Sequence, residues 1–239
     1  MEQERGGGEI ALRLNEVREN IRKACERVGR DPGSVTLVAV SKTKPVSMMR
    51  EAMACGQKDF GENYPQEFRD KAKELQGEDI RLHLIGHLQR NKVKYVIGDA
   101  CLIHAVDSVR LAEQIEAEAE KRGLDCDILL EVNVAGEESK FGVAPEDTEA
   151  LAREIAKLPH VHIRGLMTIA PYVDDPEENR VHFRNLRALA VDIDGKNIDN
   201  ISMNELSMGM TGDYETAVEE GATLVRVGTG IFGARDYSA

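Results

Sequence analysis

Two lysines stand at the end of an apolar run in the first quarter of the chain. The run VAVSKTKP covers residues 38–45, and Lys42 has the same side-chain parity as the apolar Val38. A lysine that is desolvated near other cations has a lowered pKa, and its amine becomes a nucleophile that forms Schiff bases with aldehydes. Lys44 shares that parity, but Pro45 indicates that the strand has already ended there, which favours Lys42. A solvated lysine of a surface loop remains the alternative interpretation.

Arg226 is a second charge in an apolar setting, within the run Leu-Val-Arg-Val-Gly. A buried guanidinium needs a partner, because desolvating an unpaired charge is costly. The sequence leaves two interpretations open. Arg226 either forms an ion pair across the mouth of the fold, for example with Glu62 or Glu205, or contacts a ligand.

Two segments near the C-terminus are rich in glycine and in hydroxyl groups. They read SMGMTG at residues 207–212 and GTGIFG at residues 228–233. Backbone N–H groups approach a phosphate closely only where side chains are small, and serine and threonine hydroxyls add further donors. The two segments together therefore predict a phosphate cup.

Two other motifs are weighed and set aside. Gly228, Gly230 and Gly233 spell GxGxxG, but a dinucleotide site needs a following helix, a further strand and an acidic residue about 20 positions onward. Only six residues follow Gly233, so we do not expect that site. His160 and His162 form an HxH pair at the start of a predicted strand, opposite the expected site and without a carboxylate cluster, so no metal is expected.

The elements that must position these residues alternate between β-branched runs and amphipathic stretches. The predicted strands cover residues 35–42, 58–63, 82–86, 101–107, 127–134, 162–169, 201–208 and 224–228. The predicted helices cover residues 47–54, 64–75, 89–97, 109–122, 145–158, 177–191 and 214–220, with a further helix at 10–28 before the first strand.

Eight strand–helix repeats leave two architectures, a closed (β/α)₈ barrel and an open doubly wound sheet. Continuous apolar runs such as DILLEVNV indicate strands that are covered on both faces, and the repeat count equals the closure number of the barrel. We therefore predict a single-domain (β/α)₈ TIM barrel with an extra N-terminal helix. Its active site is expected at the C-terminal ends of the strands, where both glycine-rich segments fall.

Composition narrows the function classes. The 239 residues carry 31 Lys and Arg against 43 Asp and Glu, a formal net charge of −12, which argues against a nucleic-acid partner. Apolar runs are far shorter than the roughly 20 residues of a membrane-spanning helix, so no membrane partner is expected.

Residues 1–8 lack the features of a secretory signal and are predicted as a disordered tail before one domain of residues 9–239. Four cysteines without a CxxC pair predict a reducing, cytoplasmic location.

Six segments carry a resemblance to a known family: VAVSKTKP (38–45), FGENYPQE (60–67), HLIGHLQRNK (83–92), NVAGEESKFG (133–142), RGLMTI (164–169) and residues 206–237. They resemble the pyridoxal phosphate homeostasis proteins, which are related to the N-terminal barrel domain of bacterial alanine racemase. The resemblance implies bound pyridoxal 5′-phosphate (PLP), with Lys42 as its Schiff-base lysine, Asn63 near the cofactor and Arg226 as partner of the pyridine nitrogen. It also implies that the phosphate cup consists of Ser207, Thr211, Gly228 and Thr229. The family more usually has serine at the position of Thr211, and a hydroxyl is retained here.

The resemblance implies a carrier or buffer in intracellular PLP homeostasis, without catalytic residues. An arginine stays protonated, so its contact disfavours a proton on the pyridine nitrogen and weakens PLP as an electron sink. The related racemase needs a second base from a C-terminal domain and the facing subunit, and this chain ends about where that domain would begin. We expect a monomer that passes PLP to apo PLP-enzymes. Two alternatives stay open: a PLP-dependent amino-acid racemase of low activity, and a cofactor-free Schiff-base aldolase acting on a phosphosugar.

Overall fold

Eight parallel strands close into a barrel in sequence order. The computed structural model describes residues 3–137 and 141–234. The strands are β1 (Thr36–Val40), β2 (Asp59–Glu62), β3 (Arg81–Leu84), β4 (Ala100–Val106), β5 (Cys126–Glu131), β6 (Val161–Met167), β7 (Ile201–Met210) and β8 (Leu224–Val227). β8 pairs with β1, where Arg226 lies opposite Val38, and so closes the barrel. The predicted (β/α)₈ barrel is confirmed, and each predicted strand overlaps an observed one.

The helices lie outside the strands. They are α1 (Gln3–Arg27), α2 (Val46–Ala54), α3 (Pro65–Glu74), α4 (Val109–Arg122), α5 (Thr148–Ile155), α6 (Arg180–Asp194), α7 (Tyr214–Glu219) and α8 (Thr229–Phe232). The helix predicted over residues 89–97 is a short 3₁₀ helix, Arg90–Tyr95, and the one-turn α8 has no counterpart in the sequence pattern. Within the described residues, no helix combines the length and apolar character needed to span a bilayer.

The predicted N-terminal helix is present as α1. Ile10, Leu14 and Val17 recur at helical spacing, and all three are buried. The helix packs against α2, α7 and α8, the helices that flank β1 and β8. It begins at Gln3, so it overlaps the tail predicted over residues 1–8, of which residues 1 and 2 lie outside the described part. The glycines at residues 6–8 have low helix propensity, so the sequence pattern placed the start of the helix only at residue 10. An established helix, however, propagates at one hydrogen bond per residue.

Strand residues alternate between the helix layer and the barrel interior. The inward-facing apolar residues form a small buried cluster, distinct from the large core between strands and helices: Val38, Leu102, Ala105, Leu129, Met167 and Leu224. His104, Glu131 and Arg226 each stand two residues after a member of that cluster, and all three are buried. Polar and charged groups therefore occupy the interior of the barrel alongside the apolar ones.

Candidate binding site at the mouth of the barrel

Lys42 follows the end of β1 at the C-terminal mouth of the barrel. The ladder continues one residue beyond the strand, where the Ser41 N–H donates to the Gly61 carbonyl at 3.0 Å. Lys42 is half-buried, whereas the Lys44 ammonium donates to the carbonyl of Ala234 at 2.8 Å. The two lysines therefore lie at the same end of the barrel, and Lys44 contacts the C-terminal segment at Ala234.

A buried ion pair holds the residue before Lys42. Ser41 donates its hydroxyl to Glu62 at 2.6 Å, and the Lys71 ammonium donates to the Ser41 carbonyl at 2.7 Å. The Lys71 ammonium also lies 2.8 Å from Glu62, and the two side chains are 7% and 0% exposed. Burial raises the pKa of Glu62, and the charge and hydrogen bond of Lys71 oppose that rise. The hydroxyl and the carbonyl of Ser41 are therefore both fixed by charged partners.

The residue after Lys42 is held by a second carboxylate. Thr43 has a φ of 62°, a left-handed conformation that is uncommon for a β-branched residue. Its N–H donates to Glu67 at 2.7 Å, and Glu67 in turn lies 2.8 Å from the Lys71 ammonium. Lys71 thus binds the backbone before Lys42 directly, at Ser41, and the backbone after Lys42 through Glu67. The sequence analysis missed Lys71 and Glu67, and their helical positions in α3 gave no signal of this contact.

Arg226 lies in β8 with its guanidinium in the barrel interior. One Nη donates to the Ser207 hydroxyl and the other donates to the Thr168 carbonyl at 2.8 Å. Burial lowers the pKa of Arg226 to about 10, while the carboxylates of Asp213 and Glu131 oppose that change. The guanidinium therefore stays positively charged at neutral pH.

Neither carboxylate suggested by the sequence as an ion-pair partner of Arg226 takes that role. Glu62 is engaged with Lys71 and Ser41, and Glu205 accepts a hydrogen bond from the Thr223 hydroxyl at 2.5 Å. Glu205 belongs to the lower half of β7, where it pairs in register with the middle of β6, away from the C-terminal mouth. Parity alone could not reveal this, because it fixes the direction of a side chain but not its level in the barrel.

Thr211 is the centre of the phosphate cup. Its Oγ1 faces the N–H of Gly228 at 3.3 Å, the N–H of Gly230 at 3.5 Å and the hydroxyl of Thr229 at 3.3 Å. Contacts of this length are weak hydrogen bonds, so these donors can turn to a stronger anionic acceptor. Gly228 also lies against Val40, which it would approach at 3.4 Å if it carried a Cβ. The structure thus brings Thr211, Gly228 and Thr229 together beside the end of β1.

Ser207 does not join the phosphate cup. β7 extends to Met210, beyond the predicted end at residue 208, so Ser207 is an internal strand residue. Its side chain is fully buried, accepts from Arg226 and lies 2.8 Å from Nδ1 of His104. Ser207 therefore holds the Arg226 guanidinium. None of its described hydrogen bonds goes to Thr211, Gly228 or Thr229.

Asn63 stands directly after β2 and is half-buried. Its backbone packs on Gly86, where a Cβ would come within 2.5 Å of the Asn63 carbonyl oxygen. No real side chain is tolerated at that distance, so Gly86 sets the path of the Asn63 loop. Asn63 thus lies at the mouth, one strand along from Lys42.

Glu131 is a further mouth residue that the sequence analysis missed. It ends β5, is 4% exposed, and its Oε2 has no hydrogen-bond partner within the described part of the chain. Burial and the nearby Asp107 raise its pKa to about 7, and Arg226 opposes that rise. The signal was present, since an acidic residue within the apolar run DILLEVNV is as unusual as Arg226 in its own run.

The HxH pair is occupied by other contacts. His160 Nδ1 lies 2.7 Å from Glu116, and His162 Nδ1 lies 2.6 Å from the Asn200 side-chain oxygen. Over residues 3–137 and 141–234, the structure has no group of three or more His, Cys, Asp or Glu side chains arranged to hold a metal ion.

The molecule is thus a (β/α)₈ barrel that carries a lysine after the first strand, a buried arginine in the last strand and a glycine-rich cup between the last two loops. The chain belongs to the family described as alanine racemase, N-terminal domain, whose model matches residues 12–236.

Relatives with assigned names match over nearly their whole length. The pyridoxal phosphate homeostasis protein of Aquifex aeolicus is 47% identical over 225 residues, covering 94% of this chain and 98% of that protein. The protein of the same name from Pseudomonas aeruginosa is 43% identical over 231 residues, covering 96% of this chain and 97% of that protein.

Two solved structures have a similar fold. PipY of Synechococcus elongatus with PLP bound has a TM-score of 0.81 and 38% identity, covering 94% of this chain and 100% of that one. An alanine racemase of Clostridium difficile has a TM-score of 0.72 and 14% identity, covering 97% of this chain and 58% of that one. The second likeness concerns the fold alone.

Proposed function

We propose that this protein binds PLP at the barrel mouth, with Lys42 as its Schiff-base lysine, and acts in PLP homeostasis as a buffer or carrier rather than as an enzyme. The relatives that it matches over nearly their full length are named pyridoxal phosphate homeostasis proteins, and PipY was solved with PLP bound.

One observation carries the proposal: the end of β1, which Lys42 follows, lies against the phosphate cup. Gly228 lies against Val40, two residues before Lys42, and Gly228 also faces Thr211. The cup is shaped for backbone donors, because a Cβ at Gly230 would come within 3.0 Å of Val227 and 3.2 Å of Thr211. These residues fit a ligand that carries an aldehyde at one point and a phosphate at another.

Each part of PLP has residues suited to it. When bound, PLP supplies an aldehyde that condenses reversibly with amines. Lys42 would hold that aldehyde, while Thr211, Gly228 and Thr229 would hold the phosphate. Arg226 would donate to the pyridine nitrogen and Asn63 would lie beside the ring. Ser207 contributes indirectly, because it is bound to Arg226.

Arg226 supports a carrier rather than a catalyst. Its pKa of about 10 keeps it cationic at neutral pH, so it can only donate toward a pyridine nitrogen. A nitrogen that accepts a hydrogen bond from a cation is disfavoured from holding its own proton. Carbanion chemistry is stabilised by a protonated pyridine, so this arrangement weakens that stabilisation.

We extend the proposal to the setting of the protein. Cys25, Cys55, Cys101 and Cys126 are free thiols, which supports a reducing cytoplasmic location. The acidic net charge of −12 supports the expectation of no nucleic-acid partner. We propose a monomer of one barrel domain that exchanges PLP with apo PLP-enzymes. A dimer in sedimentation experiments would overturn the monomer. An apo-enzyme that gains no PLP when it is mixed with the PLP-loaded protein would overturn the exchange.

Visible absorption with added PLP tests the function directly. We expect wild-type protein to develop a long-wavelength band that borohydride abolishes, with one PLP equivalent then attached covalently. Lys44→Ala should retain the band and Lys42→Ala should lose it, while both variants keep the wild-type circular dichroism. A band lost in Lys44→Ala instead would overturn the assignment of the lysine.

Two further outcomes separate the alternatives. Wild-type protein that stays colourless with PLP would overturn cofactor binding and favour the aldolase. Incubation with L- or D-alanine in deuterated water should leave the α-proton unexchanged. Enzyme-like exchange that Lys42→Ala abolishes would overturn the carrier and establish a racemase.

A further inference from the structure

A continuous series of hydrogen bonds crosses the interior of the barrel. Nε2 of His83 lies 3.0 Å from Asp59, Nδ1 of His83 lies 3.0 Å from Nε2 of His104, and Nδ1 of His104 lies 2.8 Å from the Ser207 hydroxyl. Ser207 accepts from Arg226. We call these five residues the interior polar relay.

The relay links the two ends of the barrel. Asp59 begins β2 at the N-terminal end, where Arg81 donates to both of its carboxylate oxygens at 2.7 and 2.6 Å. Asp59 and His83 line a cavity of about 380 Å³ that opens at this end. Arg226 lies at the other end, beside the phosphate cup. His83 is 4% exposed, and His104 and Ser207 are fully buried.

Only one arrangement of protons satisfies every link when Asp59 is ionised and both imidazoles are neutral. Asp59 accepts only, so His83 carries its proton on Nε2 and accepts at Nδ1. His104 must then donate from Nε2, and its Nδ1 accepts the proton of the Ser207 hydroxyl. The Ser207 oxygen is thereby free to accept from Arg226. All donors point from the cation toward the carboxylate.

The electrostatics of the individual groups agree with this arrangement. Burial opposes the ionisation of Asp59, but the hydrogen bonds from His83 and Arg81 outweigh it and lower its pKa. Burial, together with the charge of Arg226, puts the pKa of His104 well below its usual value. Asp59 is therefore ionised and His104 neutral at neutral pH.

Arg226 has no carboxylate within ion-pair distance in residues 3–137 and 141–234, and the more distant Asp213 and Glu131 only partly offset the lowering of its pKa by burial, although a buried cation needs compensation. A series of hydrogen bonds that all point the same way polarises each member and extends the influence of the terminal charges. We propose that Asp59 is a further, remote counter-charge of Arg226 that acts through the relay, and that His83, His104 and Ser207 are positioning residues that hold the guanidinium toward the pyridine nitrogen of PLP. This inference rests on the proposed function, because it assigns a role to the Arg226 contact.

The first test uses the protein without PLP. Selective ¹⁵N labelling of histidine reports which ring nitrogen carries the proton, and His83→Gln and His104→Gln assign the signals. We expect the proton to lie on Nε2 in both His83 and His104. A Nδ1-protonated His104 would overturn the relay, because the Ser207 hydroxyl would then lose its fixed direction.

The second test measures PLP binding through the long-wavelength band. His104→Leu removes the hydrogen bonds to His83 and Ser207 and leaves an apolar side chain of moderate size in place of the imidazole. His104→Gln keeps a hydrogen-bond donor and an acceptor. We expect His104→Leu to weaken PLP binding about tenfold and shift the band, and His104→Gln to recover much of both effects. His160→Leu is the matched control, since that histidine pairs with Glu116 outside the relay.

The outcomes separate this inference from the proposed function. Equal binding and band position in His104→Leu and His160→Leu, with a normal wild-type band, would overturn the relay and leave PLP binding intact. Absence of any band in wild-type protein would overturn PLP binding, whereas the tautomer measurement would still decide the proton arrangement. Should His104→Leu fail to fold, Ser207→Ala provides the same comparison from the other end of the link.

Discussion

Replacing Lys71 with methionine isolates the buried ion pair that holds the Lys42 loop. Methionine keeps the length of the side chain and removes its charge. The ammonium of Lys71 lies 2.7 Å from the Ser41 carbonyl and 2.8 Å from both Glu62 and Glu67. Removing one partner of a buried ion pair leaves the other charge uncompensated, which costs about 3–5 kcal/mol. We expect a loss of that size in the free energy of unfolding at pH 8, measured by urea denaturation.

The cost should depend on pH in a defined direction. Burial already raises the pKa of Glu62, and without Lys71 the carboxylate retains only the Ser41 hydroxyl to oppose that rise. A folded state that holds a proton more tightly than the unfolded state loses stability as the pH rises above the unfolded pKa. Lys71→Met should therefore cost more at pH 8 than at pH 5. Adding Glu62→Gln should remove this dependence and restore part of the stability.

Two results would refute this reasoning. A cost below about 1 kcal/mol at pH 8 would mean that solvent reaches Glu62 and that the pair behaves like a surface ion pair. A cost that is equal at pH 5 and pH 8 would mean that Glu62 does not titrate when Lys71 is removed. Glu74→Gln, at an exposed acid of the same helix, is the control and should change the free energy of unfolding little.

Three shorter predictions concern other parts of the mouth. Thr211→Ala should weaken PLP binding about tenfold by equilibrium titration, because the phosphate loses a hydroxyl donor, and Thr211→Ser should retain it; equal affinities would contradict the phosphate cup. The stability of the wild type relative to Glu131→Gln should fall by roughly 3 kcal/mol as the pH rises from 4.5 to above about 7, because the folded wild type holds a proton on Glu131; a difference in urea denaturation that is constant with pH would contradict the raised pKa. Gly86→Ala should lower the free energy of unfolding by about 1–3 kcal/mol and weaken PLP binding, because its Cβ would overlap the Asn63 backbone; an unchanged free energy of unfolding in urea denaturation would refute that overlap.

The barrel could be predicted because its strands are covered on both faces. Such strands read as continuous apolar runs, and DILLEVNV showed the pattern most clearly. The mouth could be predicted for a related reason, since a charge within an apolar run is conspicuous, and Lys42 and Arg226 were both found in this way. Thr211 and Gly228 followed because loops after the last two strands meet at one edge of a closed barrel.

The contacts across the interior could not be predicted. Ser207 bonds to a histidine 103 positions away, and no local pattern indicates which inward-facing residues share a level of the barrel. Levels are set by the stagger of the strands, and register shifts between β6 and β7 and between β7 and β8 alter it locally. Lys71 was missed for a different reason, since a lysine on an amphipathic helix usually faces solvent.

The closing pair of strands has a consequence for the order in which the protein becomes competent. β1 and β8 stand near opposite ends of the sequence, and Val38 meets Arg226 only once β8 has been made. Contacts of such long sequence separation form late, because closing a long loop is entropically costly. A nascent chain on the ribosome therefore has its lysine long before it has its arginine or its glycine loops. Capture of a ligand by the mouth must follow synthesis of β8, and a ligand that binds only the closed barrel then protects the newly finished protein from reopening.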